Sequence, residues 1–416
     1  MLSAMQRFAP LPDGAEAAEG SVTHPAGFLA AGVAAGIKRS GRRDVGLLVS
    51  ETPAVSAAFF TQNRAAAAPI LVTRDSCDCA ALQAVVVNSG NANACTGAQG
   101  HADALRMREL VAGLLSLPEE QVAVSSTGVI GAPLPMDVIE PGMERAAAKL
   151  DHGGGERFAA AIRTTDRTEK LGAADVELPS GAVRLGFAAK GAGMISPNMA
   201  TTLCFVTTDA GLDAATWRRL LGDAVEASFN RITVDGQEST NDMVLGLANG
   251  ASGVRLGEED LGLFSAALRA GLLAMALGVV SDGEGATTIV RLSVEQALDE
   301  AEAERVGRAI ADSPLVKTAV YGKDANWGRI VQSAGMSLSP DGDRELVCDV
   351  VFGGVPVLVQ GDPVALSQAD EEHIAASMAD AELDIGVVLH RGDASSLVYF
   401  SDLTHEYVRI NAGTRT

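Results

Sequence analysis

The chain alternates between short apolar runs and segments in which apolar residues recur at helical spacing. Apolar or β-branched runs predict strands at residues 45–50, 54–61, 84–88, 122–125, 347–352 and 357–360. Helical spacing and capping residues predict helices at residues 101–117, 213–229, 258–280, 299–312 and 370–378. Because the two kinds of element alternate from end to end, the pattern predicts a mixed α/β fold.

Two features organise this pattern further. A predicted hairpin joins strands at 176–178 and 183–189 around the turn Pro179-Ser180-Gly181. The succession of strand and helix starts again near Thr288, and the 416 residues exceed the roughly 250–300 that one core usually holds. We therefore expect a core domain over residues 1–287 and a smaller C-terminal α/β domain over residues 288–416.

Composition restricts the partners. The net charge of −21 argues against nucleic acid and anionic membrane surfaces as partners. The five cysteines are odd in number and scattered, which favours reduced thiols in a cytoplasmic protein. The N-terminus lacks the pattern of a signal peptide, and the longest apolar stretch, residues 270–280, is too short to span a bilayer. The histidines form no metal-binding pair, so we expect no metal or other cofactor.

The segment KGAGMISPNMATTLCFVTTDA, residues 190–210, is the strongest candidate for chemistry. A loop rich in glycine leads directly into a β-branched, apolar strand that begins at Thr201. A threonine hydroxyl is a weak nucleophile without a base, but cleavage before Thr201 would create an α-amine with a pKa near 7.7–8.0 that can serve as that base. The same hydroxyl could cut the chain by attacking the Ala200 carbonyl. From the pattern alone, an ordinary loop that enters a buried strand is the favoured interpretation.

Other catalytic signatures are weak. The chain contains no G-x-S-x-G elbow and no G-x-x-x-x-G-K-[ST] phosphate loop. A dinucleotide loop starting at Gly191 would need its third glycine at position 196, which is serine.

Several segments together closely resemble the ornithine acetyltransferase family, the ArgJ proteins of arginine biosynthesis. The resemblance covers effectively the whole chain and rests on KGAGMISPNMATT (190–202), GFLAAGVAAGIK (27–38), VVNSGNANACTG (86–97), SSTGVIG (125–131), IRTTD (162–166), ITVDG (232–236), STNDM (239–243), SDGEGATT (281–288), GKDANWGRI (322–330) and VRINAGTRT (408–416).

This resemblance implies a self-processing enzyme. The chain is cut between Ala200 and Thr201, and the fragments 1–200 and 201–416 assemble into a heterotetramer of two alpha and two beta chains. Thr201 takes the acetyl group of N2-acetyl-L-ornithine and passes it to L-glutamate, and some members also accept acetyl-CoA. The implied fold is an αββα layered core that resembles N-terminal nucleophile enzymes.

The resemblance also implies roles for individual residues. Thr127 and Gly128 match the pair that stabilises the oxyanion, through a hydroxyl and a backbone N–H. The residues that match substrate-binding positions are Thr164, Lys190, Thr201, Glu284, Asn411 and Thr416. Taken without the resemblance, these are residue types common in strand ends, glycine turns and frayed C-termini.

Departures from the family pattern affect specificity more than reaction class. Position 288 is threonine where the family commonly has lysine, and Gln237 stands in another altered position. Two other functions stay open: an amidase or aminopeptidase whose acyl-threonine is attacked by water, and an uncleaved ligand-binding protein. Release of acetate would identify the hydrolase, and a single chain that forms no acetylated intermediate would identify the binding protein.

Overall fold

The computed structural model describes residues 1–196, 202–338 and 345–413. Its strands are β1 Ala15–Ala18, β2 Phe28–Val33, β3 Val45–Ser50, β4 Val55–Phe60, β5 Ala84–Asn91, β6 Val122–Val129, β7 Lys170–Leu178, β8 Gly181–Lys190, β9 Leu203–Thr208, β10 Ile232–Thr233, β11 Met243–Ala248, β12 Ile289–Ala297, β13 Asp349–Phe352, β14 Val355–Val359, β15 Asp362–Pro363, β16 Glu382–Val388 and β17 Ala394–Ser401. Its α-helices are α1 Ala68–Ser76, α2 Gly97–Leu115, α3 Met136–Ala147, α4 Gly155–Ile162, α5 Ala214–Glu226, α6 Glu258–Ser281, α7 Glu300–Ala311, α8 Pro314–Tyr321, α9 Trp327–Ser337, α10 Gln368–Ala379 and α11 His405–Gly413.

The described chain divides into two compact units. Unit 1 contains Met1–Asn230 and Glu238–Val279. Unit 2 contains Arg231–Gln237 and the described residues from Val280 to Gly413.

Unit 1 contains two β-sheets. The strand order of the larger sheet is β1-β7-β8-β9-β11-β4, and that of the smaller sheet is β2-β3-β5-β6. The predicted hairpin is confirmed, since β7 and β8 pair antiparallel. Strand β9 pairs antiparallel with β8 and parallel with β11, so it lies inside the larger sheet with a neighbour on each side.

The two sheets of unit 1 face each other across a shared core. Phe28, Leu48 and Val85 from the smaller sheet belong to the same buried cluster as Phe205 and Leu245 from the larger sheet. A second buried cluster lies between the smaller sheet and the helices α2 and α3. On the outer face of the larger sheet, Trp217 of α5 donates a hydrogen bond to the carbonyl of Gly246 in β11 at 3.1 Å. The order helices, sheet, sheet, helices confirms the αββα expectation.

Helix α5 begins where the sequence predicts it, directly after residue 213. Asp213 is its N-cap, and the carboxylate accepts a hydrogen bond from the backbone N–H of Thr216 at 3.0 Å. The helix ends at Glu226, three residues before the predicted end.

Helix α6 is the one helix of the described chain with the length and apolar composition of a membrane span, and 72% of its most apolar stretch is buried. Its Gly271 lies directly against Phe187 of β8, because an added Cβ would be 2.3 Å from that ring. The helix therefore packs as core against the larger sheet of unit 1.

Unit 2 is built on one mixed sheet with the strand order β10-β17-β12-β16-β13-β14-β15. The sheet packs against α7 and α9 through a buried cluster that includes Leu292 of β12, Val306 of α7 and Ile330 of α9. Helix α7 begins at the N-cap Asp299, whose carboxylate accepts from the N–H of Glu302 at 2.7 Å.

Candidate active site

Thr127 and Lys190 meet between the two sheets of unit 1. Thr127 lies in β6 of the smaller sheet, and Lys190 is the last residue of β8 in the larger sheet. The Lys190 ammonium donates a hydrogen bond to Thr127 Oγ1 at 3.1 Å, and only 9% and 7% of the two residues are exposed. A cation and a hydroxyl are thus held together in a largely dry place, where each interacts strongly with developing charge.

The backbone at Gly128 leaves no room for a side chain. Its φ is +135°, and an added Cβ would lie 2.4 Å from the backbone carbon of Gly90 in β5. The register places Gly128 beside Gly90 in the parallel ladder between β5 and β6. The close approach of the two strands therefore requires glycine immediately after Thr127.

Asn241 fixes the end of β6 to the larger sheet. Its side-chain amide donates to the carbonyl of Ala92 at 2.7 Å and to the carbonyl of Ser126 at 2.9 Å. Asn241 comes two residues before β11, so the hydrogen bonds tie both the NSGNANACTG loop and the residue before Thr127 to the strand beside β9.

Asp166 forms a buried centre that joins two of the predicted segments. Its Oδ1 accepts from the Lys170 ammonium at 2.6 Å and from the backbone N–H of Gly191 at 2.7 Å. Its Oδ2 accepts from the backbone N–H of Thr164 at 2.9 Å. The carboxylate therefore connects the IRTTD segment, which carries Thr164, to the glycine loop that follows Lys190.

The charge of Asp166 is maintained by its neighbours. The side chains of Asp166 and Lys170 are both 0% exposed. Burial by itself raises the pKa of the Asp166 carboxyl, but the charges of Lys170 and Lys190 outweigh it and hold that pKa below its ordinary range. Sequence reasoning missed Asp166, although it ends the quoted IRTTD segment.

Asp242 is a second buried carboxyl that sequence reasoning missed, within the quoted STNDM segment. Burial raises the pKa of Asp242 well above its ordinary value, against the opposing effects of Ser239 and the Lys190 charge. Its Oδ2 is buried and has no hydrogen-bond partner among the described residues. The next residue, Met243, donates its N–H to the carbonyl of Thr202 at 3.0 Å. Asp242 thus places a carboxyl that favours its protonated form beside the start of β9.

The start of β9 lies close to the glycine loop. Thr202 is 3% exposed, and an added Cβ on Gly191 would be 2.8 Å from its hydroxyl. The predicted cleavage residues Ala200 and Thr201 lie outside the described residues, as does Thr416.

In unit 2, the structure brings together Glu284 and Asn411. The side-chain amide of Asn411 in α11 donates to Glu284 Oε2 at 2.8 Å, and Glu284 is only 8% exposed. Helix α11 extends from His405 to Gly413 and so includes Asn411, which begins the NAGTRT stretch that the sequence without the resemblance would leave as a frayed tail. The loop that carries Glu284 is also held by Thr404, whose hydroxyl donates to the carbonyl of Gly285 at 2.8 Å.

The two departures from the family pattern also lie in unit 2. Thr288 is buried, and its Oγ1 accepts from the Lys323 ammonium at 2.9 Å. An ammonium group is therefore present at this position although the residue itself is threonine. Gln237 lies at the surface and donates through its side chain to the carbonyl of Asp235 at 3.3 Å.

Within residues 1–196, 202–338 and 345–413, no group of three or more histidine, cysteine, aspartate or glutamate side chains is placed to hold a metal ion. The groups that the described site presents are hydroxyl, ammonium, amide and carboxyl groups.

Comparison with known proteins identifies the family. Residues 29–416 match the model of the ArgJ family. The arginine biosynthesis bifunctional protein ArgJ of Symbiobacterium thermophilum is 45% identical over 402 residues, which are 95% of this chain and 99% of that protein. The ArgJ bifunctional protein of Nitratidesulfovibrio vulgaris is 44% identical over 393 residues, which are 94% of this chain and 99% of that protein.

A solved structure of the ornithine acetyltransferase of Mycobacterium tuberculosis in complex with ornithine is also similar. It is 43% identical with a TM-score of 0.42, and the match covers 45% of this chain and all of that chain. The family match over residues 29–416 and the identities of 44–45% over nearly the whole length confirm the resemblance seen in the sequence. The chain belongs to the ArgJ family.

Proposed function

We propose that this chain is an acetyltransferase of arginine biosynthesis that moves the acetyl group of N2-acetyl-L-ornithine to L-glutamate through an acetyl-Thr201 intermediate. Membership of the ArgJ family supports the reaction class. The observation that carries the proposal within the chain is the buried contact between Lys190 and Thr127, which lies where β8 ends beside the start of β9. We further propose that acetyl-CoA is a second donor, which agrees with the relatives being bifunctional proteins.

Self-cleavage comes first in the proposed mechanism. The Thr201 hydroxyl attacks the Ala200 carbonyl, the Ala200–Thr201 C–N bond breaks, and the nitrogen takes up a proton to become the new α-amine. Water then hydrolyses the ester, which releases the Ala200 carboxylate and regenerates the hydroxyl. The buried polar groups at the ends of β6 and β8 support such a step. Acyl transfer depends on hydrogen-bond donors that are already in place where negative charge develops on the carbonyl oxygen.

Acetyl transfer then follows a ping-pong course. The α-amine of Thr201 removes the hydroxyl proton as the oxygen attacks the acetyl carbonyl of acetylornithine, and the proton passes to the departing amine of ornithine. The amine of glutamate attacks the acetyl ester in the second half and leaves as N-acetylglutamate. Thr127 and the backbone N–H of Gly128 hydrogen-bond the oxyanion in both halves.

Substrate binding is proposed for Thr164, Lys190, Glu284, Asn411 and Thr416. The Lys190 ammonium suits a substrate carboxylate, and the buried carboxylate of Glu284 suits a substrate ammonium group. The fragments 1–200 and 201–416 are proposed to form a cytoplasmic heterotetramer of two alpha and two beta chains.

The Thr127 hydroxyl can be tested by Thr127→Val, which keeps the shape of the side chain. We expect kcat for acetyl transfer to fall about 10²-fold to 10³-fold, because one oxyanion donor is lost. Ser125→Ala is the matched control, since the buried hydroxyl of Ser125 on the same strand has no hydrogen-bond partner among the described residues. Equal activities of the two variants would contradict the oxyanion role of Thr127.

The overall proposal is tested by the intact mass of the purified protein before and after brief exposure to N-acetylornithine. We expect two fragments that meet at Ala200 and Thr201, and a gain of one acetyl group on the second fragment. Added glutamate should remove that group and appear as N-acetylglutamate. Release of the group as acetate would instead identify a hydrolase, and a single chain that gains no mass would contradict the mechanism.

A further inference from the structure

A basic pocket lies on unit 1, and none of its lining residues is among those assigned to catalysis. It encloses about 280 Å³ and is lined by Lys38, Gly41, Arg42, Arg43, Ala160, Arg163 and Glu169. We call this feature the basic pocket. Four of its lining side chains are cationic and one is anionic. Because the whole chain carries a net charge of −21, a local excess of positive charge stands out from the rest of the surface.

The sequence concentrates these cations in one loop. Residues 38–43 read KRSGRR, so four of six residues are basic, and the loop connects β2 to β3. Arg42 and Arg43 are exposed, whereas Lys38 is partly buried. Lys38, the first residue of this run, is also the last residue of the GFLAAGVAAGIK segment.

The basic pocket has a fixed shape. The Lys38 ammonium donates to the carbonyl of Arg43 at 2.7 Å and to the carbonyl of Arg163 at 2.6 Å. Arg163 forms an ion pair with Glu169 and also donates to the carbonyl of Asp166 at 2.8 Å. These bonds join the loop to the segment after α4, so Lys38 and Arg163 are held in place at the wall of the cavity before any ligand arrives.

The basic pocket adjoins the segment that carries the predicted substrate threonine. Arg42 donates through its guanidinium to the carbonyl of Thr164 at 3.2 Å. Burial and the charge of Arg42 lower the pKa of Lys38 to about 8, while Asp44 and Asp166 act to raise it. Lys38, Arg42 and Arg163 donate to the backbone carbonyls of residues 163, 164 and 166, respectively, which places the basic pocket beside the segment that carries Asp166.

The chemistry of the cavity favours a phosphorylated ligand. Guanidinium groups bind phosphate oxygens through paired hydrogen bonds, and several cations together suit a ligand with more than one phosphate. Acetylornithine and glutamate carry only carboxylates. Acetyl-CoA carries a diphosphate and a 3′-phosphate, separated from its thioester by a long flexible arm. Its phosphates can therefore bind away from the atoms that react.

We propose that the basic pocket binds the phosphate groups of acetyl-CoA and so serves the second acetyl donor. The inference rests on the acetyl transfer to glutamate proposed above. The volume of about 280 Å³ suits a phosphorylated fragment of the donor more than the whole molecule, since pockets for complete drug-sized ligands run from roughly 300 to 1,000 Å³.

Kinetics of Arg43→Ala and of the double variant Arg42→Ala/Arg43→Ala test the proposal. We expect KM for acetyl-CoA to rise about tenfold in the single variant and further in the double variant, because charge-assisted hydrogen bonds are lost. In Arg43→Ala, KM for N-acetylornithine should stay within about twofold of the unaltered enzyme, since charge-assisted contacts to phosphate are absent from that reaction. Arg219→Ala is the matched control, because Arg219 is an exposed arginine of α5 whose ion pair with Asp223 spans 3.8 Å.

Binding measured directly by calorimetry separates this proposal from the proposed function. Adenosine 3′,5′-bisphosphate should bind the unaltered, self-cleaved protein and compete with acetyl-CoA, and Arg43→Ala should weaken its binding about tenfold. An unchanged KM for acetyl-CoA in the variants would overturn the proposal. So would an absence of binding in the unaltered protein, or equal competition by inorganic phosphate, which would identify a general anion site. In each of these cases transfer from acetylornithine to glutamate would still be measured independently.

Discussion

Replacing Thr201 with alanine is expected to leave the chain in one piece and to abolish acetyl transfer. Both steps of the proposed mechanism use the same oxygen: it attacks the Ala200 carbonyl first and the acetyl carbonyl later. Alanine has no hydroxyl, so no acetyl ester can form, and activity should fall by a factor on the order of 10⁶. Denaturing electrophoresis and intact mass would detect the uncut chain, and transfer of labelled acetyl to glutamate would measure activity.

Two further variants give this experiment its controls. Thr201→Ser keeps a hydroxyl and should retain both cleavage and transfer at reduced rates. Thr202→Val removes the neighbouring hydroxyl, which is buried and has no hydrogen-bond partner among the described residues, so both activities should persist. Cleavage of the Thr201→Ala chain at the same bond would show that another group performs the cut.

The second large effect is expected at the buried ion pair of Asp166 and Lys170. Asp166→Ala should lower the free energy of unfolding by about 3–5 kcal/mol, because it leaves buried cations without the carboxylate that faces them. The same change releases the N–H groups of Gly191 and Thr164, so self-cleavage and substrate binding should weaken as well. Urea denaturation should be measured in the uncleaved Thr201→Ala background, where one chain unfolds without dissociation of fragments.

A double variant and a pH series separate the charge of Asp166 from its packing. Asp166→Asn/Lys170→Met removes both charges and should cost much less than either single change. The pKa of Asp166 is lower in the folded chain than its ordinary value, so its stabilising effect is present above about pH 4 and is lost as the pH falls through the folded pKa. The free energy of unfolding of the Thr201→Ala chain should exceed that of the same chain with Asp166→Asn, and this difference should shrink below about pH 4. A difference that does not depend on pH would contradict the ionic role of Asp166.

Elements with a local signal were predicted well from the sequence. The N-cap at Asp213 and the hairpin of β7 and β8 depend on residues that lie close together in the chain, and the structure confirms both. Helix α1 was not predicted, because its N-cap residue Ala67 supplies no side-chain hydrogen bond. Strand β10 consists of two residues that pair with Tyr399 and Phe400 of β17, a contact that no local pattern encodes.

The contacts of the candidate site likewise lack a local signal in the sequence. Its residues could be named only through the resemblance, because a hydroxyl in β6 and a lysine in β8 are 63 positions apart and meet only when two sheets pack together. Asp166 and Asp242 were passed over for a related reason. Aspartates in polar segments usually lie on the surface, and their complete burial depends on elements that close over them from elsewhere in the chain.

The position of β9 has a consequence for how the protein can come apart. In the larger sheet of unit 1, β9 and β11 follow Thr201 in sequence, whereas their outer neighbours β8 and β4 precede it. A cut before Thr201 therefore yields two polypeptides that are interleaved within one sheet, with hydrogen-bonded ladders along both seams. Their separation requires unfolding of the sheet, so the fragments should behave as a single folding unit: two bands under denaturing conditions, one species under native conditions, and no exchange of fragments between folded molecules.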